Sequence, residues 1–96
     1  MLQKPESLLA KIKRALDEED VEGLLALGSP RDEYEEEAKL IADRVRVTEL
    51  QKGALDVSDA LRIVEEVCTK AFGPSEGLVH ERRRATWLAV AKKIVG

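Results

Sequence analysis

The sequence predicts an all-α fold, a compact single-domain array of four to five short helices. Three observations predict it. Apolar residues recur at helical spacing through nearly the whole chain. Runs of β-branched residues with a period of two are missing. The 96 residues are 44% hydrophobic, which suits one modest core and exceeds what a disordered chain carries.

Helix one is predicted over residues 5–17. Pro5 fits a first turn, and Leu8, Leu9, Ile12, Ala15 and Leu16 form one stripe. A short second helix is expected to follow, with Asp20 as its N-cap and Val21, Leu24, Leu25 and Leu27 on its buried face. Gly28 reads as its stop. Ser29-Pro30-Arg31-Asp32 then has the order of cap, proline and acid that opens a helical turn.

The next helix is predicted over 34–50, with Tyr34, Ala38, Ile41, Ala42 and Val45 facing inward. Glu35, Glu36 and Glu37 occupy its first turn, where the helix dipole favours anions. Lys52-Gly53-Ala54 breaks it. The following helix has the clearest signal. Asp56 caps it, Asp59 comes three residues later, and Val57, Ala60, Leu61, Val64, Val67, Cys68, Ala71 and Phe72 keep helical spacing up to Gly73-Pro74. Phe72, the only phenylalanine, is expected to plug the core. A last helix is predicted over 79–95, with Trp87, Leu88, Ala91, Ile94 and Val95 inward and His80 on the surface.

Composition disposes of several functions. The longest uncharged stretch, 23–30, is far short of the ~20 apolar residues that span a bilayer. Lys4, Glu6, Lys11, Lys13 and Arg14 interrupt the N-terminal apolar residues, unlike a secretory signal. The expectation is therefore a cytoplasmic protein with no membrane association. Cys68 is the only cysteine and His80 the only histidine, so neither a disulfide nor a thiolate zinc site forms within the chain. No cofactor is expected and no metal site is assigned.

The net charge of −3 is unevenly distributed. Residues 17–37 hold ten acids against Arg31, and residues 82–96 hold five bases and no acid. Such a chain is either a strong dipole or two blocks that neutralise each other in the fold, and sequence alone leaves both open.

Each motif has a plain structural explanation beside a functional one. Glu18, Asp20, Glu22 and Gly23 stand where a calcium loop needs them, but its twelfth position is Ser29 instead of a bidentate Glu. Cys68 lies on an apolar stripe and reads as a small core hydrophobe. Arg82-Arg83-Arg84 with Lys92 and Lys93 has the charge to meet phosphates. The domain around them is acidic, though, and only Trp87 supplies an aromatic ring nearby, which argues against nucleic acid. The cluster Asp32-Glu33-Tyr34-Glu35-Glu36-Glu37 is denser in carboxylates than helix capping requires.

The run Asp20-Val21-Glu22-Gly23-Leu24-Leu25-Ala26-Leu27-Gly28-Ser29-Pro30-Arg31-Asp32-Glu33-Tyr34 resembles the signature of the YugE-like family of small bacterial proteins, whose function is unknown. The helix Val57 to Phe72 followed by Gly73, and the closing Ala89-Val90-Ala91-Lys92-Lys93-Ile94, look similar too. The chain departs from that pattern after Tyr34, where Glu35-Glu36 replaces an Asp-Pro helix start. The resemblance implies one compact helical domain and lends no activity or cofactor.

The functional expectation is a small cytosolic interaction module without enzymatic activity. Asp32, Glu33, Tyr34, Glu36 and Glu37 are its candidate surface for a protein partner with a basic face. Inhibition of a basic toxin or nuclease, as by an immunity protein, is one concrete form. Two other expectations compete: a small enzyme or enzyme accessory that holds a divalent ion at Glu33 and Tyr34, and a nucleic-acid contact through Arg82–Arg84.

Overall fold

A computed structural model describes residues 7–23, 26–28 and 33–96. It contains four helices: α1 (Leu8–Glu19), α2 (Glu35–Lys52), α3 (Val57–Phe72) and α4 (Gly77–Val95). No strand occurs among the described residues. The helices form a ring in which α1 packs on α2, α2 on α3, α3 on α4 and α4 back on α1. The molecule measures 41 × 32 × 19 Å, and its thin dimension is about two helix diameters. Every helix therefore buries one face toward the centre of the ring. No described helix is long and apolar enough to cross a membrane.

Local chemistry sets the helix ends. Ser7 caps α1 by accepting a hydrogen bond from the Ala10 N–H at 3.1 Å. Pro5, expected in that first turn, lies outside the described residues. Asp56 and Asp59 form a reciprocal capping box at the start of α3, with the Asp59 N–H donating to Asp56 Oδ1 at 2.8 Å. Lys52 reaches across the short connection and holds both Asp59 oxygens, at 2.8 and 3.0 Å. That bond raises the Lys52 ammonium and lowers the Asp59 carboxyl from their ordinary values. Between them Gly53 ends α2 in the left-handed region, at φ 80°, where only glycine is unstrained.

The core collects Ile12, Ala15 and Leu16 of α1, Ala38, Ile41, Ala42 and Val45 of α2, Ile63, Val64, Val67 and Cys68 of α3, and Trp87, Val90 and Ile94 of α4. The largest fully buried side chains are Trp87 and Tyr34. Phe72 is half-buried and touches Tyr34 edge-on, with ring centroids 6.1 Å apart. It closes the rim of the core and does not plug its centre. Trp87 fills that place, because α4 lies across α3 with Trp87 on its inner face. His80, two turns earlier on α4, stacks edge-on against Trp87 at 5.9 Å and approaches Ser75 Oγ at 3.2 Å.

The expected short helix after α1 does not form within the described residues. Asp20 has left-handed geometry at φ 47° and ends α1, with its N–H donating to the Asp17 carbonyl. Residues 20–23 and 26–28 are turns and bends. Val21 is buried as expected, but Leu27 is 82% exposed. Asp20 caps no helix here: its carboxylate accepts from the Ala26 N–H at 2.9 Å, six residues on, and from the Tyr34 hydroxyl. Leu24, Leu25 and the turn 29–32 lie outside the described residues.

Candidate functional site

The acidic segment leads into α2. Asp32, the first candidate residue, lies outside the described residues. Tyr34 occupies the N-cap position without capping, and its side chain turns inward to complete burial. Its hydroxyl donates to Asp20 Oδ1 at 2.6 Å and accepts from the Glu22 N–H at 3.1 Å. Tyr34 therefore fastens the 20–23 turn to the start of α2 and presents no surface to a partner, contrary to expectation. The physical reason is that an interior position was open to a ring whose hydroxyl finds both an acceptor and a donor there.

Glu37 departs from the expectation in the same direction. It stands on the inward side of the first turn and is 8% exposed. Burial raises its carboxyl above the ordinary value. Its own N–H opposes that shift, while Glu33 and Glu36 add to it by repulsion. Glu36 remains in solvent, with its side chain 82% exposed, and Glu35 is about half exposed at 46%. Glu33 is partly exposed. Lys39 lies 3.8 Å from both Glu35 and Glu36, one turn along. The acidic surface at this end of the ring thus consists of Glu33, Glu35 and Glu36, with Tyr34 and Glu37 beneath it.

The basic block of α4 goes elsewhere. Arg83 Nη2 lies 2.8 Å from Glu22 Oε1, and both side chains are largely buried. The same guanidinium donates to the Gly73 carbonyl at 2.7 Å and reaches the Phe72 carbonyl at 3.4 Å, so one arginine ties the end of α3 to the turn after α1. Lys93 sits 2.8 Å from Glu19 and 3.6 Å from Glu18, and the Glu19 bond raises its ammonium above the ordinary value. Glu18, Glu19 and Glu22 of the acidic block and Arg83 and Lys93 of the basic one neutralise each other along the α1–α4 side of the ring. Arg82 and Arg84 point outward and are exposed.

Spacing put Glu22 in a calcium-loop pattern and Arg83 in a basic triplet, but it did not pair the two. The only signal for that pairing in sequence is membership of opposite charge blocks, which does not say which acid meets which base.

The chemistry open to these residues is limited. Among the described residues no group of three or more His, Cys, Asp or Glu side chains is placed to hold a metal ion. The Tyr34 hydroxyl is engaged with Asp20 and Glu22. The grooves along the α2–α3 and α3–α4 seams are lined by other side chains than Glu33 and Tyr34. Cys68 is fully buried, and burial together with the charges of Glu22 and Glu37 pushes its thiol up to about 12. A thiol held in that form is a packing group and not a nucleophile.

Comparison with protein-family models, curated proteins and solved structures returned no match to this chain.

Proposed function

We propose that this chain is a protein-interaction module that offers the acidic start of α2 to a basic surface on another protein. One observation carries the reading. Glu18, Glu19 and Glu22 are met by Lys93 and Arg83, whereas among the described residues Glu35 and Glu36 have only Lys39, at 3.8 Å, and Glu33 has no ion pair. Glu33, Glu35 and Glu36 lie together at the start of α2, with a single base beside them among the described residues. The field of such a cluster accelerates encounter with a positive partner and sets specificity more than affinity. Inhibition of a basic enzyme, as by an immunity protein, is the concrete form that suits this chemistry. Asp32 belongs to the same stretch of sequence and lies outside the described residues.

The test compares the wild-type chain with a triple variant, Glu33→Gln, Glu35→Gln and Glu36→Gln, in pull-downs from native lysate at low and high salt. A partner specific to this surface is retained by wild type at low salt, released at high salt, and lost from the variant while the melting temperature holds. A set of bound proteins identical for both chains overturns the proposal.

A further inference from the structure

The outer face of α2 carries three exposed apolar side chains among its charged ones. Leu40 and Val47 are each 51% exposed and Leu50 is 87% exposed. Their spacing of seven and then three residues puts all three on one stripe, opposite the buried Ile41, Ala42 and Val45. The stripe begins one turn beyond the acidic end of the helix. Val47 also borders a groove of about 460 Å³ between α2 and α3, floored by Ile63 and edged by Arg62 and Glu66. Asp43 and Arg46 lie on the Leu50 side of the stripe, Asp43 within it and Arg46 at its edge, 3.8 Å apart, with side chains 75% and 58% exposed.

We infer that this face binds a second copy of the chain, with the two α2 helices antiparallel about a two-fold axis that crosses the exposed stripe at the level of Val45. A two-fold interface must be self-complementary, so a residue that precedes the axis meets one that follows it by the same interval. Leu40 lies five residues before Val45 and Leu50 five after, so each leucine of one copy meets the other leucine of the second copy. Asp43 and Arg46 lie at nearly equal intervals before and after that level and on the same side of the stripe. Sides of like position meet in an antiparallel pair, which brings Asp43 of each copy to Arg46 of the other. The apolar pattern and the charge pattern thus close on the same axis. Val47 and its groove sit beside that axis, where the second Val47 arrives.

One helix face is smaller than the ~800 Å² per partner of a stable complex, so association belongs in the micromolar range or weaker. The experiment is sedimentation equilibrium of the full chain from about 10 to 500 µM, which brackets such affinities. Wild type is expected to pass from monomer to dimer mass over that range. Asp43→Arg alone and Arg46→Asp alone each set like charges against each other across the axis and are expected to stay monomeric.

An equimolar mixture of the two variants restores opposite charges at both contacts and is expected to regain dimer mass with one copy of each. Both positions are exposed, so circular dichroism and melting should match wild type. A wild-type chain that remains monomeric throughout overturns the inference. So does a dimer that persists undiminished in both single variants, or a mixture no more associated than its components.

Discussion

The Tyr34 hydroxyl stands 2.6 Å from Asp20 Oδ1 and 3.1 Å from the Glu22 backbone nitrogen, so the only tyrosine of the chain joins the end of α1 to the start of α2. The ring is fully buried and rests edge-on against Phe72 of α3. Three helices therefore converge on one side chain, and the left-handed Asp20 is held by the group that its own carboxylate accepts.

Removing only the hydroxyl isolates that fastening. Tyr34→Phe keeps the ring in the core but removes the bond to Asp20 Oδ1, whose Oδ2 still accepts from the Ala26 N–H, and leaves the Glu22 N–H without the acceptor it has here. A buried polar group left without its partner costs about 1–3 kcal/mol. Urea denaturation should show a loss in that range with an unchanged slope. Stability equal to wild type would mean that solvent satisfies both groups and that the fastening contributes nothing.

Arg83 and Lys93 both pair α4 with the acids after α1, and their burial separates them. Arg83→Met leaves Glu22 largely buried without its countercharge and frees the Gly73 carbonyl. Breaking one partner of such a pair costs about 2–4 kcal/mol. Lys93→Met removes a solvent-screened contact and should shift the melting temperature far less. Equal losses in the two variants would contradict the burial difference.

Glu37 is predicted to oppose folding at neutral pH. A carboxyl whose folded value is raised binds its proton more tightly in the folded state than in the unfolded state. Its favourable contribution is fully present below the unfolded value near 4.5 and is lost as pH rises through the folded value. Glu37→Gln should therefore melt higher than wild type at pH 7, and the gap should close as pH falls toward 4. A variant less stable at pH 7 would show that the charge has a partner that the desolvation argument omits.

Cys68 should resist thiol reagents in the native protein and react only after denaturation, because its thiol is buried and held up to about 12. The same shift works against stability in alkali. Above the ordinary value of 9.0 the unfolded chain releases the thiol proton while the folded chain keeps it, so stability falls with rising pH up to about 12. Cys68→Ala should flatten that alkaline decline. Rapid labelling of the folded protein at pH 8 would overturn both expectations.

What the sequence alone determined is what local physics controls. A 3.6-residue period reports which face of a helix turns inward, whatever it meets there, so most of the inward side of each helix follows from spacing, as with Ile12, Ala15 and Leu16 or Ala38, Ile41, Ala42 and Val45, while Ala71 and Val95, expected on such stripes, are exposed. The Asp56–Asp59 capping box and the Gly53 stop are equally local, since each is closed by residues at most four apart. Tertiary structure decided the rest. Asp20 has the chemistry of an N-cap, yet it ends α1, because a tyrosine fourteen residues on supplies a hydroxyl that a helical turn there would have to give up. Tyr34 and Glu37 looked like surface among so many charges, and their burial depends on what α3 places opposite them. The pairing of Arg83 with Glu22 and of Lys93 with Glu19 selects one of two charge arrangements equally allowed by composition. It is set by the packing of α4 on α1, a long-range contact that spacing along the chain does not encode.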